Sequence, residues 1–94
     1  MSDSKERIEE ALGSKGRIRI LRALAKEGGA SLYKISKETG LSTKNVKRNL
    51  EKLVKLGWVE EFKLSGSIQY RLNERRNEVK KLIEFFEKIG YLGN

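Results

Sequence analysis

The sequence predicts one mainly α domain with a small β-hairpin, spanning residues 1–94. Three observations carry that expectation. Apolar residues recur at helical spacing in five blocks, and residues 62–72 switch to an alternation of period two. The blocks are separated by glycines at 13, 28–29, 40, 57 and 90, in a chain that contains no proline.

Taken in order, Ser4 to Leu12 forms a short helix with Ile8, Ala11 and Leu12 on one side and Glu6, Glu9 and Glu10 on the other, ended by Gly13. Ser14 caps a second helix, from Lys15 to Lys26, whose stripe is Ile18, Leu21, Leu24 and Ala25. Ile20 lies off that stripe and extends the apolar face toward the first helix or toward a partner. Gly28-Gly29 breaks the chain, Ala30-Ser31 gives a very short strand or a direct helix entry, and Ser31 caps a two-turn helix, Leu32 to Thr39. Gly40 closes that helix in a left-handed conformation, and Ser42 caps the next one, Thr43 to Leu56.

This fourth helix has two faces. Val46, Leu50, Leu53 and Val54 make a stripe that must be buried, while Lys44, Arg48, Lys52 and Lys55 point the other way, flanked by Asn45 and Lys47; Glu51 is its single acid. After Gly57, Trp58 is expected in the core, anchoring a hairpin with Ser65-Gly66-Ser67 as a three-residue loop. Val59 is out of phase with Phe62 and Leu64, which predicts a bulge or a late strand start. Asn73 has the character of an N-cap for a last helix, to about Ile89, striped by Val79, Leu82, Ile83, Phe86 and Ile89 and widened by Phe85. That apolar surface either closes the core against the first helix or meets a second copy of the chain, or does both.

Composition narrows the function classes. There is no cysteine and no histidine, so disulfides, thiolate metal sites and the commonest general base are absent; no cofactor and no metal site are expected, and an enzyme is not. No apolar run approaches a membrane span and Met1-Ser2-Asp3-Ser4 begins polar and acidic, so a cytoplasmic protein without membrane contact is expected, and no small-molecule effector is evident. The net charge of +8 is concentrated: residues 13–57 hold twelve basic and three acidic side chains, a net +9. Such a concentration around a glycine-marked turn and a two-faced helix is the electrostatic footprint of a phosphate-binding surface; charge alone does not separate nucleic acid from a membrane surface, and the turn and helix make double-stranded DNA the expected partner.

Two short helices around a glycine turn, followed by a hairpin, give the order of a winged helix-turn-helix domain. Leu12-Gly13-Ser14-Lys15-Gly16-Arg17-Ile18-Arg19-Ile20-Leu21-Arg22-Ala23-Leu24 resembles the opening helix of ArsR-like repressors, here of archaeal type. Ile35-Ser36-Lys37-Glu38-Thr39-Gly40-Leu41-Ser42 looks like their helix-turn-helix core, and Val46 to Val59 like their recognition helix and its exit. The resemblance implies a homodimeric transcriptional regulator, with residues 13–72 as the core and residues 73–94 as a dimerisation helix. It does not extend to metal sensing, because the cysteine and histidine ligands of metal-sensing members are missing.

The same likeness places Thr43, Lys44, Asn45, Lys47 and Arg48 in the major groove, with Asn45 suited to adenine and Arg48 to guanine. Ser31, Tyr33, Lys34, Ser42, Lys44, Lys47 and Lys52 are candidates for phosphate or flanking contacts, and the likeness places the wing, 62–72, on the backbone or adjacent minor groove, with Lys63, Ser65, Ser67, Gln69 and Arg71 as its candidates. Lys15 and Arg17 also lie within reach of a phosphate. Ile8, Leu12, Leu82, Phe85, Phe86, Ile89, Tyr91 and Leu92 are the candidate dimer contacts. Two other readings stay open on sequence alone: an architectural protein that coats DNA without sequence choice, and a winged helix used to bind other proteins.

Overall fold

The computed structural model describes residues 2–93. Its elements run α1 (Ser2–Leu12), α2 (Lys15–Glu27), α3 (Leu32–Thr39), α4 (Thr43–Lys55), β1 (Val59–Leu64), β2 (Ser67–Leu72) and α5 (Asn77–Lys88). Five helices and one antiparallel hairpin in this order make a winged helix-turn-helix with an added C-terminal helix, as the sequence predicts.

The serine caps act locally and as expected. The hydroxyls of Ser14, Ser31 and Ser42 accept hydrogen bonds from the backbone N–H groups of Arg17, Lys34 and Asn45, at 3.1, 3.2 and 3.1 Å. Each satisfies a donor that the first helical turn leaves free. Between α3 and α4 the chain reverses at Gly40, whose φ of 76° suits a residue without a Cβ. The turn is fastened twice more, because the Thr39 hydroxyl accepts from the Leu41 N–H and the Ser36 hydroxyl donates to the Leu41 carbonyl.

The core lies where the stripes of α2, α3 and α4 meet. Ile20, Leu21, Leu24, Ile35, Val46, Leu50 and Leu53 are essentially without solvent contact, and Trp58, Val59, Leu72, Val79 and Phe86 close the cluster from the hairpin and α5. Ile20 therefore belongs to this core. Trp58 is buried as the sequence predicts, although its indole Nε1 finds no acceptor among the described residues.

The hairpin departs from expectation in three ways. Its register is unbroken from Val59↔Leu72 to Leu64↔Ser67, so there is no bulge. Ser65 and Gly66, both at positive φ, form a two-residue turn, which leaves Ser67 inside the second strand. Pairs that face each other share a side, so Val59, Glu61 and Lys63 lie with Leu72, Tyr70 and Ile68, whereas Phe62 and Leu64 lie on the reverse side. The strand reads as out of phase because it carries apolar residues on both sides. Phe62 is covered by the Arg71 guanidinium, 4.5 Å above its ring, and Leu64 is exposed. A short bridge pairs Ala30 with Tyr70 and adds a third edge to the sheet.

The last helix starts at Asn77, not at Asn73. Asn73 serves a different purpose: its Nδ2 donates to the Gly57 carbonyl at 2.9 Å, and Arg76 Nη2 donates to the Leu56 carbonyl at 2.8 Å. Both carbonyls sit at the C-terminus of α4, so residues 73–76 form a turn that holds the end of α4.

Beside this turn, Glu60 binds both Arg71 and Arg75. Burial alone would raise the Glu60 carboxyl, but the hydrogen bonds and charges of the two arginines outweigh it and hold the group below its ordinary 4.5. A depressed carboxylate stabilises the fold above its unfolded value, and that contribution is lost as pH falls through the folded value. Thermal melts from neutral pH into the acid range should show this loss setting in below the ordinary 4.5. Glu60→Gln should flatten the acid limb by a few degrees at most, since Arg71 and Arg75 are exposed.

Candidate nucleic-acid interface

The fully buried stripe of α4 fixes its rotation and turns the opposite face to solvent. Thr43, Lys44, Lys47, Arg48, Glu51, Lys52 and Lys55 are all exposed on that face. Among the described residues, Lys44, Lys47 and Arg48 enter no ion pair. Their neighbours are partly neutralised: Lys34 reaches Glu27 at 3.3 Å and Lys52 reaches Glu10 at 3.8 Å. Three of the four cations of α4 without a partner among the described residues therefore sit on its first two turns, the part of such a helix that approaches base edges, and the fourth, Lys55, on its last turn.

Asn45 is placed differently from its neighbours. It is half-buried toward α2, where its Oδ1 accepts from Asn49 Nδ2 at 2.6 Å, while Asn49 Oδ1 accepts from Arg17 Nη1 at 3.2 Å. The chain Arg17–Asn49–Asn45 ties α2 to α4, and in this arrangement the Asn45 Oδ1 is engaged inside the protein. The Arg17 Nε in the same network is buried without an acceptor among the described residues.

Gly16 makes this approach close. A Cβ there would stand 3.3 Å from Asn49 Nδ2 and 3.6 Å from Leu41 Cδ1. Gly16→Val should force α4 away from α2 and destabilise the domain by about 1–3 kcal/mol in urea unfolding. Gly16→Ala, which needs only a small yield of Asn49 and gains about 0.5–1 kcal/mol of helix preference, should be near neutral. Sequence reading missed Gly16 and Asn49, because a glycine within a helical pattern and an asparagine on a basic helix carry no local sign of this contact.

The caps Ser31 and Ser42 keep their hydroxyl protons free to donate outward, and Tyr33, at the start of α3, is 75% exposed. Ser65 lies at the exposed tip of the hairpin. The other wing candidates divide between its two sides: Lys63 is on the side that faces α4, whereas Ser67, Gln69 and Arg71 are on the reverse side. Arg71 is also committed to Glu60 and Phe62. The structure thus brings the α3 and α4 candidates together and disperses those of the wing.

On its wing side α4 borders a groove lined by Lys47, Leu50, Glu51, Val54, Lys55, Glu61, Ile68 and Tyr70. Burial raises the Tyr70 hydroxyl above its usual range, and the Glu61 and Glu51 carboxylates add to the effect, so the phenol stays protonated.

The candidate dimer residues fall into two groups. Phe85 and Ile89 on α5 and Ile8 on α1 are exposed, at 55%, 58% and 41%. Leu12, Leu82, Tyr91 and Leu92 pack partly on the core, and Phe86 is buried within the protomer, with its ring 4.9 Å from that of Tyr91. Phe86 is thus spent on the chain's own core. The Arg22 guanidinium stacks on Tyr91 and donates to its carbonyl, which fastens the C-terminal segment to α2.

Among the described residues no cluster of three or more carboxylate, cysteine or histidine side chains could hold a metal ion, and no helix is long and apolar enough to cross a membrane.

Comparison with known proteins agrees with this geometry. Residues 17–60 match a family model described as winged helix-turn-helix DNA-binding. No curated protein matches the chain in sequence. Among solved structures the chain is similar to HlyU from Vibrio cholerae, with a TM-score of 0.78 and 25% identity over 94% of this chain and 92% of that one. It is similar to the homodimeric winged helix-turn-helix DNA-binding domain Mb0332 from Mycobacterium bovis, described as a possible ArsR-family transcriptional regulator (TM-score 0.74, 26% identity, 93% and 78% covered). The fold is also that of the transcriptional repressor BigR from Xylella fastidiosa (TM-score 0.77, 20% identity, 94% and 87% covered).

Proposed function

We propose that this chain is a cytoplasmic transcriptional regulator of ArsR-like type that binds double-stranded DNA as a homodimer, with α4 in the major groove and the hairpin along the backbone. The observation that carries the reading is the exposed start of α4, where Lys44, Lys47 and Arg48 have no carboxylate partner among the described residues. The charge is held there by a buried stripe, so it is presented in a fixed orientation.

In this role Arg48 reads a base, guanine being the best match to its two-pronged donor set, at about 1–3 kcal/mol of discrimination. Lys44 and Lys47, with Ser31, Tyr33, Ser42 and Thr43, hold phosphates and fix the register. Asn45 supports α4 from its α2 side through Asn49, so it stabilises the orientation of the helix, and with its Oδ1 engaged it makes no two-pronged contact to adenine in this rotamer. The exposed Phe85 and Ile89 meet a second copy and set the spacing of two half-sites.

Binding to a duplex by fluorescence anisotropy across a salt series tests the proposal. Affinity should fall steeply and linearly on a log–log scale. Arg48→Ala should weaken a preferred duplex more than a random one, by about one decade; equal losses on both would reduce Arg48 to a phosphate contact, and salt-independent affinity would remove the electrostatic basis of the proposal.

A further inference from the structure

The two flanks of α4 are electrostatically unlike. On the wing side, the groove of about 600 Å³ carries two carboxylates, Glu51 and Glu61, balanced by two cations, Lys47 and Lys55. On the other side lies a cleft of about 310 Å³ between α2 and α4, lined by Lys15, Arg17, Arg19, Arg48 and Lys52, together with Ser14, Asn45 and Asn49. Among the described residues no acidic side chain lines it. The two clefts share no α4 residue, so they flank the helix on opposite sides.

A helix in the major groove, a channel about 12 Å wide, has a phosphate backbone on either side of it. The two flanks of α4 therefore face different strands. The wing-side groove sets Glu51 and Glu61 against Lys47 and Lys55 and so offers a phosphate no net charge, whereas five cations line the α2-side cleft. The Arg17–Asn49 bond holds the floor of that cleft in place, and Gly16 keeps it open, because a side chain there would meet Asn49 and Leu41.

We infer that the cleft between α2 and α4 is a backbone-phosphate clamp, which makes α2 a third DNA-contacting element and fixes the protein more firmly to one strand than to the other. This rests on the proposed DNA binding and adds to it two residues, Lys15 and Arg19, that lie outside both the helix-turn-helix and the wing. Both are exposed. Glu10 of α1 competes with this site, since its carboxylate lies 3.8 Å from Lys52 Nζ.

The test uses the full chain and a duplex it binds, comparing wild type with Lys15→Gln/Arg19→Gln, with Glu10→Gln, and with Lys80→Gln/Lys88→Gln on α5 as a control of equal charge change. Thermal midpoints establish that each variant is folded. The α2 double variant should lower the slope of log affinity against log salt by about 0.9 for each phosphate left without its cation, up to about 1.8, and keep the sequence preference. The α5 control should leave the slope within error of wild type. Glu10→Gln should tighten binding about twofold or more, as expected for release of an exposed ion pair. Ethylation interference should mark phosphates on one strand for wild type, and those marks should vanish in the α2 double variant.

A wild-type slope in the α2 double variant, with wild type binding normally, overturns the clamp and leaves the DNA reading intact. Failure of wild type to bind any duplex overturns both. Saturable binding of inorganic phosphate at millimolar concentration without DNA, abolished in the α2 double variant, would assign the cleft to a free anion and overturn its assignment to the duplex.

Discussion

Replacing Lys44, Lys47 and Arg48 together by Gln is expected to lower duplex affinity by about 10²–10³-fold near 0.1 M salt and to flatten the salt slope by about 1.8, since the phosphates held by Lys44 and Lys47 each remove about 0.9 and Arg48 is lost as a base contact. The size of the effect follows from where these side chains stand. They project from the solvent face of α4, make no ion pair among the described residues, and contribute nothing to the buried stripe of Val46, Leu50 and Leu53. The triple variant should therefore melt within a few degrees of wild type, and anisotropy titration on the same duplex measures the drop in affinity directly. Triple substitution of Lys80, Lys81 and Lys88 on α5 removes as much charge and should change affinity far less. Equal drops in the two triples would mean that total charge, and not the α4 surface, attracts the DNA.

The second large effect concerns the proposed dimer. Phe85→Glu with Ile89→Glu places two carboxylates where the α5 apolar face is most exposed. Within the protomer these side chains cover little of the core, so the fold should persist. Sedimentation should report a monomer in place of a dimer, because an interface core does not accept unpaired charge. On a duplex with two half-sites affinity should fall by about 10²-fold or more, the gain that linking two binding modules provides, while a single half-site should bind nearly as before. A variant that stays dimeric would move the interface elsewhere.

Much of the fold was legible because its signals are local. Ser14, Ser31 and Ser42 cap helices with their own hydroxyls, Gly40 and Gly57 end them at positive φ, and the stripe of α4 is readable from spacing alone. Asn73 shows where this stops. Its residue type suits a cap, yet its amide reaches sixteen positions back to the Gly57 carbonyl, and the helix starts four residues later. The hairpin misled for a related reason: a two-residue turn at Ser65-Gly66 sets the register, and Phe62 is covered from outside by Arg71, so its apolar character does not mark the core side.

The candidate site was legible in the same proportion. The exposed cations of α4 follow from period and charge. What period cannot show is which side chains already have partners: Lys34 is taken by Glu27, Lys52 by Glu10, Arg71 by Glu60, and Asn45 by an asparagine that is itself held by Arg17, thirty-two residues away from it. Those long-range pairs sort equally basic candidates into free and engaged ones.

Selection of bound sequences from a random duplex pool, with the oligomeric state measured on the same preparation, tests the central claim most directly. A dimer that enriches a two-fold-symmetric consensus, with half-sites about 10 base pairs apart, is the predicted result. Enrichment of no sequence, with coating of every duplex, would contradict it in favour of an architectural DNA-binding protein.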